Sequence, residues 1–188
     1  MRVIGGKLKG KLIHNPTDNT TRPLKNMVRE SIFNILEHSR NEKIKFKNDI
    51  VLDLFSGSGS FGIECLSRGV KKVFFFENYK PSLKILEKNL NDLELNKKSV
   101  INNIDAYEIS KENIDNQEID LIYLDPPFKD KNINYLLRKI LDLKIAHKNT
   151  LLVIHRNKKF EENFIENFKI LKEKNYGLSK IIFGKLQF

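Results

Sequence analysis

The segment Asp125-Pro126-Pro127-Phe128, called here the D-P-P-F segment, follows the apolar run 119–124 and could do chemistry. The run predicts a buried strand, and each proline fixes its own φ and keeps the preceding residue extended. The chain should therefore leave the sheet at the strand's carboxyl end, where open α/β sheets bind ligands. The Asp125 carboxylate and the Pro126 carbonyl could accept both N–H bonds of an exocyclic amine, while Phe128 covers its planar ring. A simple turn after a strand is the alternative for this segment alone.

A second candidate site is the glycine loop Gly57-Ser58-Gly59-Ser60-Phe61-Gly62, which follows the predicted strand 50–55. It satisfies G-x-G-x-x-G before a predicted helix, and Glu77 ends the next predicted strand twenty positions after Gly57. This spacing fits a Rossmann dinucleotide site in which the acid binds ribose hydroxyls. The loop alone therefore leaves an NAD-dependent oxidoreductase open.

The two motifs together resemble those of S-adenosylmethionine-dependent enzymes. The D-P-P-F segment looks like motif IV of the amino-methyltransferases, which methylate exocyclic nitrogens of nucleobases, and residues 53–55 resemble methyltransferase motif I. The resemblance implies that Asp125, Pro126, Pro127 and Phe128 are catalytic. It implies S-adenosylmethionine as the cofactor, bound by Asp53, Phe55, Ser56, Gly57, Gly59, Glu77, Asn78, Asp105 and Ala106.

Two of these cofactor candidates have specific expected roles, and a third departs from the family pattern. Motif I implies that Asp53 receives the amino acid end of S-adenosylmethionine. Asp105, with the Ala106 backbone, is placed to meet the adenine amine. Asn78 stands where the family often has an acid, so its contact is left open. A structural role as a surface acid is the alternative for Glu77 and Asp105.

Composition narrows the class of protein. The chain has 188 residues, of which 40% are hydrophobic and 31% charged, as expected for one globular domain. No apolar run approaches the length of a membrane span, and we expect no signal peptide before the first predicted strand. The single cysteine, Cys65, allows no internal disulfide and suggests a reducing compartment. The four histidines are scattered, so we expect no metal site. Nothing in the sequence demands a dimer, so we expect a monomer, and we expect it in the cytoplasm.

The net charge of +10 is unevenly distributed. Residues 1–47 hold 11 Lys and Arg against 4 Asp and Glu, and residues 151–188 hold 8 against 4. Concentrated basic charge suggests a polyanionic partner whose binding is sensitive to salt. A general bias toward lysine in the composition is the alternative explanation.

Strands and helices alternate along the chain at the spacing of βαβ units. This pattern predicts a Rossmann-like α/β fold, a mostly parallel seven-stranded sheet with helices on both faces. Residues 1–47 are predicted to form a basic hairpin and a helix from about residue 25 to 38, and residues 48–188 the methyltransferase domain. The fifth strand is expected over 150–155, a polar helix after it, and the terminal strand beside it.

Nearly the whole chain is similar to the RsmD-type 16S ribosomal RNA guanine-N2 methyltransferases. The similarity lies in residues 2–6, 9–12, 22–23, 28–36, 53–69 and 125–128. It implies a bacterial enzyme that methylates a guanine amine of 16S rRNA in the small ribosomal subunit, and it implies RNA binding by the N-terminal region. The candidate RNA-binding residues are Arg2, Lys7, Lys9, Lys11, Arg22 and Arg29. A DNA adenine-N6 or cytosine-N4 methyltransferase and a catalytically idle RNA-binding protein are the remaining alternatives.

Overall fold

The computed structural model describes residues 1–16, 26–38, 44 and 46–188. These residues include four α-helices and seven β-strands. The helices are Asn26–His38 (α1), Ser60–Arg68 (α2), Lys80–Asp92 (α3) and Ile133–Asp142 (α4). The strands are Ile50–Leu54 (β1), Lys72–Phe76 (β2), Ser99–Asn102 (β3), Ile119–Leu124 (β4), Ala146–Asn157 (β5), Phe168–Tyr176 (β6) and Ser179–Leu186 (β7). None of the described helices is long and apolar enough to cross a membrane.

The strands form one sheet in the order β3-β2-β1-β4-β5-β7-β6. Strands β1 to β5 are parallel, whereas β7 pairs antiparallel with both β5 and β6. The predicted seven-stranded, mostly parallel sheet is confirmed, and so is the terminal strand beside β5. The strand order reverses between β1 and β4, and ligands of such sheets bind beyond the carboxyl ends at this switch point.

Two hydrophobic cores cover the two faces of the sheet, as β1 illustrates. All five β1 residues are buried. Val51 packs into the core that includes residues of α1, α2 and α3, whereas Leu52 and Leu54 pack into the core that includes α4. Burial on both faces explains why the parallel strands are continuous apolar runs. The sheet is therefore a rigid support for the loops at its carboxyl edge.

The amino-terminal residues form a hairpin-like turn that packs against α2. An antiparallel bridge joins Arg2 to Leu12. The buried Glu64 carboxylate on α2 accepts hydrogen bonds from the amides of Ile4 and Gly5 at 2.8 and 2.7 Å. Because a buried carboxylate is costly without such donors, these bonds fix the turn on the helix.

The segment after β5 differs from the prediction. Strand β5 begins four residues earlier than expected, and residues 158–167 form turns and irregular chain instead of a polar helix. The Asn134 side chain on α4 holds part of this segment. It donates to the Asn163 carbonyl at 2.6 Å and accepts from the Ile165 amide at 3.2 Å. These long-range bonds replace the local bonds that a helix would have made.

Candidate active site

A cavity of about 560 Å³ opens at the carboxyl edge of the sheet. Its volume is in the range of small-molecule sites. The predicted site residues on its wall are Phe55, Ser56, Gly57, Glu77, Asn78, Ala106, Asp125, Pro126, Pro127 and Phe128. The cavity thus has a glycine-loop side (residues 55–58, 60–61, 76–79, 104 and 106) and a D-P-P-F side (residues 123, 125–128 and 155). The predicted cofactor residues Asp53, Gly59 and Asp105 do not line it. The structure brings the two predicted motifs to one site.

Each glycine of the loop has its own structural reason. Gly57 has φ +56°, and a Cβ there would meet nothing within 4 Å, because it faces open space. Gly59 has φ +78°, and its Cβ would lie 2.4 Å from a methyl group of Leu86 on α3. At Gly62 the Cβ would lie 2.3 Å from the Phe75 ring on β2. The first glycine therefore shapes the cavity, and the other two allow close packing.

The N–H groups of the loop glycines are used within the protein. Gly57 donates to Glu77 Oε2 at 2.7 Å, Gly59 to the Ser56 carbonyl at 2.8 Å and Gly62 to Asp53 Oδ2 at 2.9 Å. A dinucleotide site instead presents such N–H groups to a pyrophosphate. Two carboxylates occupy them here, so this geometry argues against the NAD-dependent alternative.

The acids on the glycine-loop side favour a cationic ligand. Burial raises the pKa of Asp53 well above its usual range, and the charges of Asp125 and Glu77 raise it further. Asp53 Oδ1 is buried and has no hydrogen-bond partner among the described residues. Burial also raises the pKa of Glu77, although amide donors oppose the shift. A nearby positive charge would stabilise the ionised form of each acid.

The remaining cofactor candidates on this side follow the ends of β2 and β3, and a hydrogen bond joins the two segments. Ala106 lies on the cavity wall, whereas Asp105 does not. The Asp105 carboxylate accepts from the Tyr107 amide at 2.9 Å and from the Asn78 side chain at 3.3 Å. The Phe55 ring lies 5.6 Å from the Tyr107 ring and forms part of the wall. Asp105 therefore supports the wall through its neighbours.

The D-P-P-F segment leaves the sheet where the prolines predict. The Asp125 amide donates to the Leu54 carbonyl at 3.3 Å, and β4 ends at the residue before. Asp125, Pro126 and Phe128 all line the cavity. No described residue donates a hydrogen bond to the Pro126 carbonyl. A carboxylate, an available carbonyl and an aromatic ring therefore share one cavity wall.

Arg156 on β5 supports this segment from behind, a role that the sequence analysis missed. Its buried guanidinium donates to the carbonyls of Pro127 and Asp130 at 3.5 and 2.5 Å. It also pairs with the Glu162 carboxylate at 2.5 Å. Pro126 and Pro127 have no backbone N–H with which to bond to the rest of the protein. Arg156 instead holds this loop through its carbonyl oxygens.

Two further cavity residues were missed by the sequence analysis. His155 Nδ1 lies 2.8 Å from Asp125 Oδ1, and the Tyr123 hydroxyl donates to Asp125 Oδ2 at 3.2 Å. Both line the cavity. His155 lies near the carboxyl end of β5, beside β4, and this position was the available signal, because polar residues at neighbouring strand ends converge. Tyr123 alternates with residues of the opposite core and carried no comparable signal.

One RNA-binding candidate is corrected by the structure. Arg29 is fully buried in α1 and bonds to the carbonyls of Arg2 and Ser60. Burial lowers the pKa of its guanidinium. With Ile32, Phe33 and Leu36 it completes an i, i+3, i+4, i+7 buried face, a periodicity visible in the sequence. The prediction that Arg29 contacts RNA is therefore wrong for this conformation.

None of the other described basic candidates lines the cavity. Arg2, Lys7, Lys9 and Lys11 are exposed, and Arg22 lies outside the described residues. The Lys7 amide donates to the Ser67 carbonyl near the end of α2, whereas α2 begins at Ser60 on the cavity wall. At 1.5 Å per residue the lysine turn lies roughly 10 Å along the helix from the cavity. These lysines could contact RNA only beyond the reacting base.

The described part of the chain contains no group of three or more His, Cys, Asp or Glu residues that could hold a metal ion. The carboxylates of Glu77, Asp105 and Asp125 accept hydrogen bonds from backbone amides or neighbouring side chains.

Comparison with known proteins identifies the family. Residues 1–185 match the model described as "Conserved hypothetical protein 95". YlbH of Bacillus subtilis is 30% identical over 188 residues, 98% of each chain. The ribosomal RNA small subunit methyltransferase D of Haemophilus influenzae is 29% identical over 179 residues, 95% of this chain and 90% of that protein.

A solved structure supports the fold. That of yhhF from Escherichia coli has a TM-score of 0.82 at 22% identity, and the match covers 100% of this chain and 98% of that chain. The predicted Rossmann-like class I methyltransferase fold is confirmed. The chain belongs to the family described as conserved hypothetical protein 95, which comprises the RsmD-type rRNA methyltransferases that its sequence resembles.

Proposed function

We propose that this protein transfers a methyl group from S-adenosylmethionine to the exocyclic N2 amine of a guanine in 16S rRNA. The observation that carries the proposal is the shared wall of the Asp125 carboxylate, the Pro126 carbonyl and the Phe128 ring. These groups match an amine with two N–H bonds on a planar base. Family membership supports rRNA as the substrate class.

The glycine-loop side fits S-adenosylmethionine, whose sulfonium and ammonium groups are cationic. When bound, S-adenosylmethionine supplies an electrophilic methyl group, and transfer to an amine breaks the carbon–sulfur bond, forms a carbon–nitrogen bond and releases a thioether and one proton. Glu77 has a free lone pair on each oxygen for ribose hydroxyls. Asp53 does not line the cavity, and its carboxylate supports this side by accepting a hydrogen bond from the Gly62 amide of the loop.

The D-P-P-F side orients the amine. Phe128 stacks on a guanine that has left its helix or loop, a contact of roughly 1–3 kcal/mol. Asp125 and Pro126 accept the two N2 hydrogens and turn the nitrogen lone pair away from the ring. The nitrogen becomes acidic only after methyl transfer, and the Asp125 carboxylate then accepts its proton. Positioning and preorganised electrostatics are the main contributions of the chain.

The substrate context follows from the same reasoning. We propose that the small ribosomal subunit or its assembly intermediate is the substrate, that residues 1–47 contact its RNA, and that the enzyme acts as a cytoplasmic monomer. The basic charge of residues 1–47 supports the RNA contact. Arg29 is left out of this surface because it is buried.

The test is methyl transfer from labelled S-adenosylmethionine to small subunits that lack their natural modifications. The proposal expects N2-methylguanine at one 16S rRNA site, identified by mass. Label on adenine or cytosine of DNA would keep the amine chemistry but overturn the substrate. Protection from heat by NAD and not by S-adenosylmethionine would overturn the reaction class.

A further inference from the structure

His155 contacts two of the four predicted catalytic residues, Asp125 and Phe128, although neither motif contains it. Its side chain is only 8% exposed. Its Nδ1 lies 2.8 Å from Asp125 Oδ1, and its Nε2 lies 2.8 Å from the Ser179 hydroxyl on β7. Its ring packs edge-on against Phe128, with centroids 5.4 Å apart and an interplanar angle of 85°. One buried side chain thus touches the acid and the stacking ring.

The hydrogen bonds of this cluster have a defined direction. An ionised carboxylate only accepts, so His155 Nδ1 carries the proton and donates to Asp125. In the neutral imidazole, Nε2 then accepts from the Ser179 hydroxyl, and this bond fixes the tautomer. Tyr123 donates to the other Asp125 oxygen, and burial raises the pKa of its phenol, which keeps its proton. Asp125 therefore receives a donor on each oxygen and retains a further lone pair on each.

Ser179, His155 and Asp125 are connected in the same order as a hydrolase triad. In a hydrolase the serine faces the substrate and the acid is buried behind it. Here Asp125 and His155 line the cavity, and Ser179 does not. The network therefore acts on the carboxylate and does not activate the serine.

We propose that His155 is a positioning residue for Asp125, and that Ser179 in turn positions His155. The inference rests on the proposed function and deepens it. The carboxylate must present one lone pair to an amine hydrogen in the cavity, and an Asp side chain can rotate about its χ2 angle. A donor on each oxygen restricts that rotation before the substrate binds. Preorganisation of this kind accelerates a displacement that depends on alignment.

The test compares two His155 variants that differ in one donor. His155→Phe keeps a ring against Phe128 but removes the donor to Asp125. We expect its kcat for methyl transfer to fall roughly tenfold to a hundredfold, by analogy with small misplacements of reacting groups. The affinity for S-adenosylmethionine, measured by calorimetry, should not change. His155→Asn places an amide nitrogen where Nδ1 was and should recover most of the lost kcat.

The same two strands provide a matched control. His147 on β5 faces Asp120 on β4 at 3.7 Å, near the amino end of β4 and away from the cavity. It is therefore also a histidine–aspartate pair across β4 and β5, but without access to the substrate. His147→Phe should leave kcat unchanged. Ser179→Ala should lower kcat less than His155→Phe does, because the donor to Asp125 is retained.

Two results would overturn the proposal. One is a His155→Phe protein that turns over as fast as the unmodified protein. The other is a folded His155→Asn protein as slow as His155→Phe, since the ring and not the donor would then matter. If His155→Phe fails to fold, an unchanged kcat in the Ser179→Ala protein would overturn the proposal instead. The proposed function is tested separately, on the unmodified protein, and the variants are compared on whichever amine that protein methylates.

Discussion

The two sides of the cavity are held together over different distances along the chain. On the glycine-loop side, the Asp53 carboxylate binds the Gly62 amide nine positions away, and the Glu77 carboxylate binds the Gly57 amide across twenty. On the D-P-P-F side, His155 is 30 positions from Asp125, and Ser179 is a further 24. The glycine-loop side is thus built from β1, β2 and the loops that directly follow them. The D-P-P-F side depends on β5 and β7, which come later in the sequence.

The difference has a functional meaning. On the glycine-loop side, the loop is held by the carboxylates of Asp53 and Glu77, which lie close to it along the chain. Such a local arrangement suits the binding of the cofactor. The D-P-P-F side presents a short motif whose carboxylate is oriented by side chains from β5 and β7. Changes on this side should therefore affect turnover, and changes on the other side should affect cofactor binding and stability.

The largest expected effect comes from Asp125→Ala. We expect kcat to fall by about 10²–10³, by analogy with the loss of one preorganised polar group. The affinity for S-adenosylmethionine should not change, because the cofactor binds on the glycine-loop side and Asp125 lies on the D-P-P-F side. Single-turnover methyl transfer and calorimetry measure the two quantities. Asp125→Asn keeps one acceptor oxygen and should lose less activity.

A parallel loss of cofactor affinity in Asp125→Ala would contradict the separation of the two sides. A near-normal kcat would remove Asp125 from the reaction. Either result would mean that turnover and cofactor binding are not divided between the two sides of the cavity.

The same contrast explains what the sequence could predict. The parallel sheet, the glycine loop and the strand-end position of the D-P-P-F segment follow from local patterns, and the structure agrees with each of them. His155 and Arg156 were missed because their partners lie about 30 positions away. The sequence pattern places His155 near a strand end, but it does not show which residue of the neighbouring βαβ unit the side chain contacts.

Arg29 was misassigned for a related reason. Its charge suggested a phosphate contact, yet it occupies a core position of α1 and binds backbone carbonyls. The helical periodicity of residues 29, 32, 33 and 36 contained the correct answer. The polar segment after β5 was predicted as a helix because its bonds to Asn134 are not local.

The second prediction concerns packing on the glycine-loop side. Gly62→Ala places a methyl group 2.3 Å from the Phe75 ring and 2.9 Å from Val73. We expect the free energy of unfolding to fall by about 1–3 kcal/mol, the usual cost of overpacking. Urea unfolding measures this. Phe75→Leu in the same background should recover part of the loss, and a double-mutant cycle with no coupling would contradict direct contact.

The third prediction uses the pKa of Glu77, which burial raises from its usual 4.5. The folded protein without ligand holds this proton more tightly than the unfolded chain. Its contribution to stability is therefore present below pH 4.5 and is lost as pH rises through the raised pKa.

The same carboxyl should make cofactor binding depend on pH. Ribose hydroxyls need the ionised acceptor, so the affinity for S-adenosylmethionine should rise over the same pH window, by up to about tenfold per unit of pKa shift. Calorimetry in buffers of different ionisation enthalpy measures the released proton. Glu77→Gln should remove most of this dependence, and an unchanged dependence would assign it to Asp53.

The smallest expected effect comes from the lysine turn, because it lies away from the cavity. Replacing Lys7, Lys9 and Lys11 by Ala should weaken RNA binding and lower the slope of log affinity against log salt by about one per residue. The kcat on saturating substrate should stay the same. Replacement of Lys71, Lys97 and Lys98 removes equal charge at the amino ends of β2 and β3, the sheet edge opposite the cavity. If both triple variants lower the slope equally, general charge and not this turn attracts the RNA. If neither does, the RNA contact lies elsewhere, and the basic residues nearest the D-P-P-F side become the next to test.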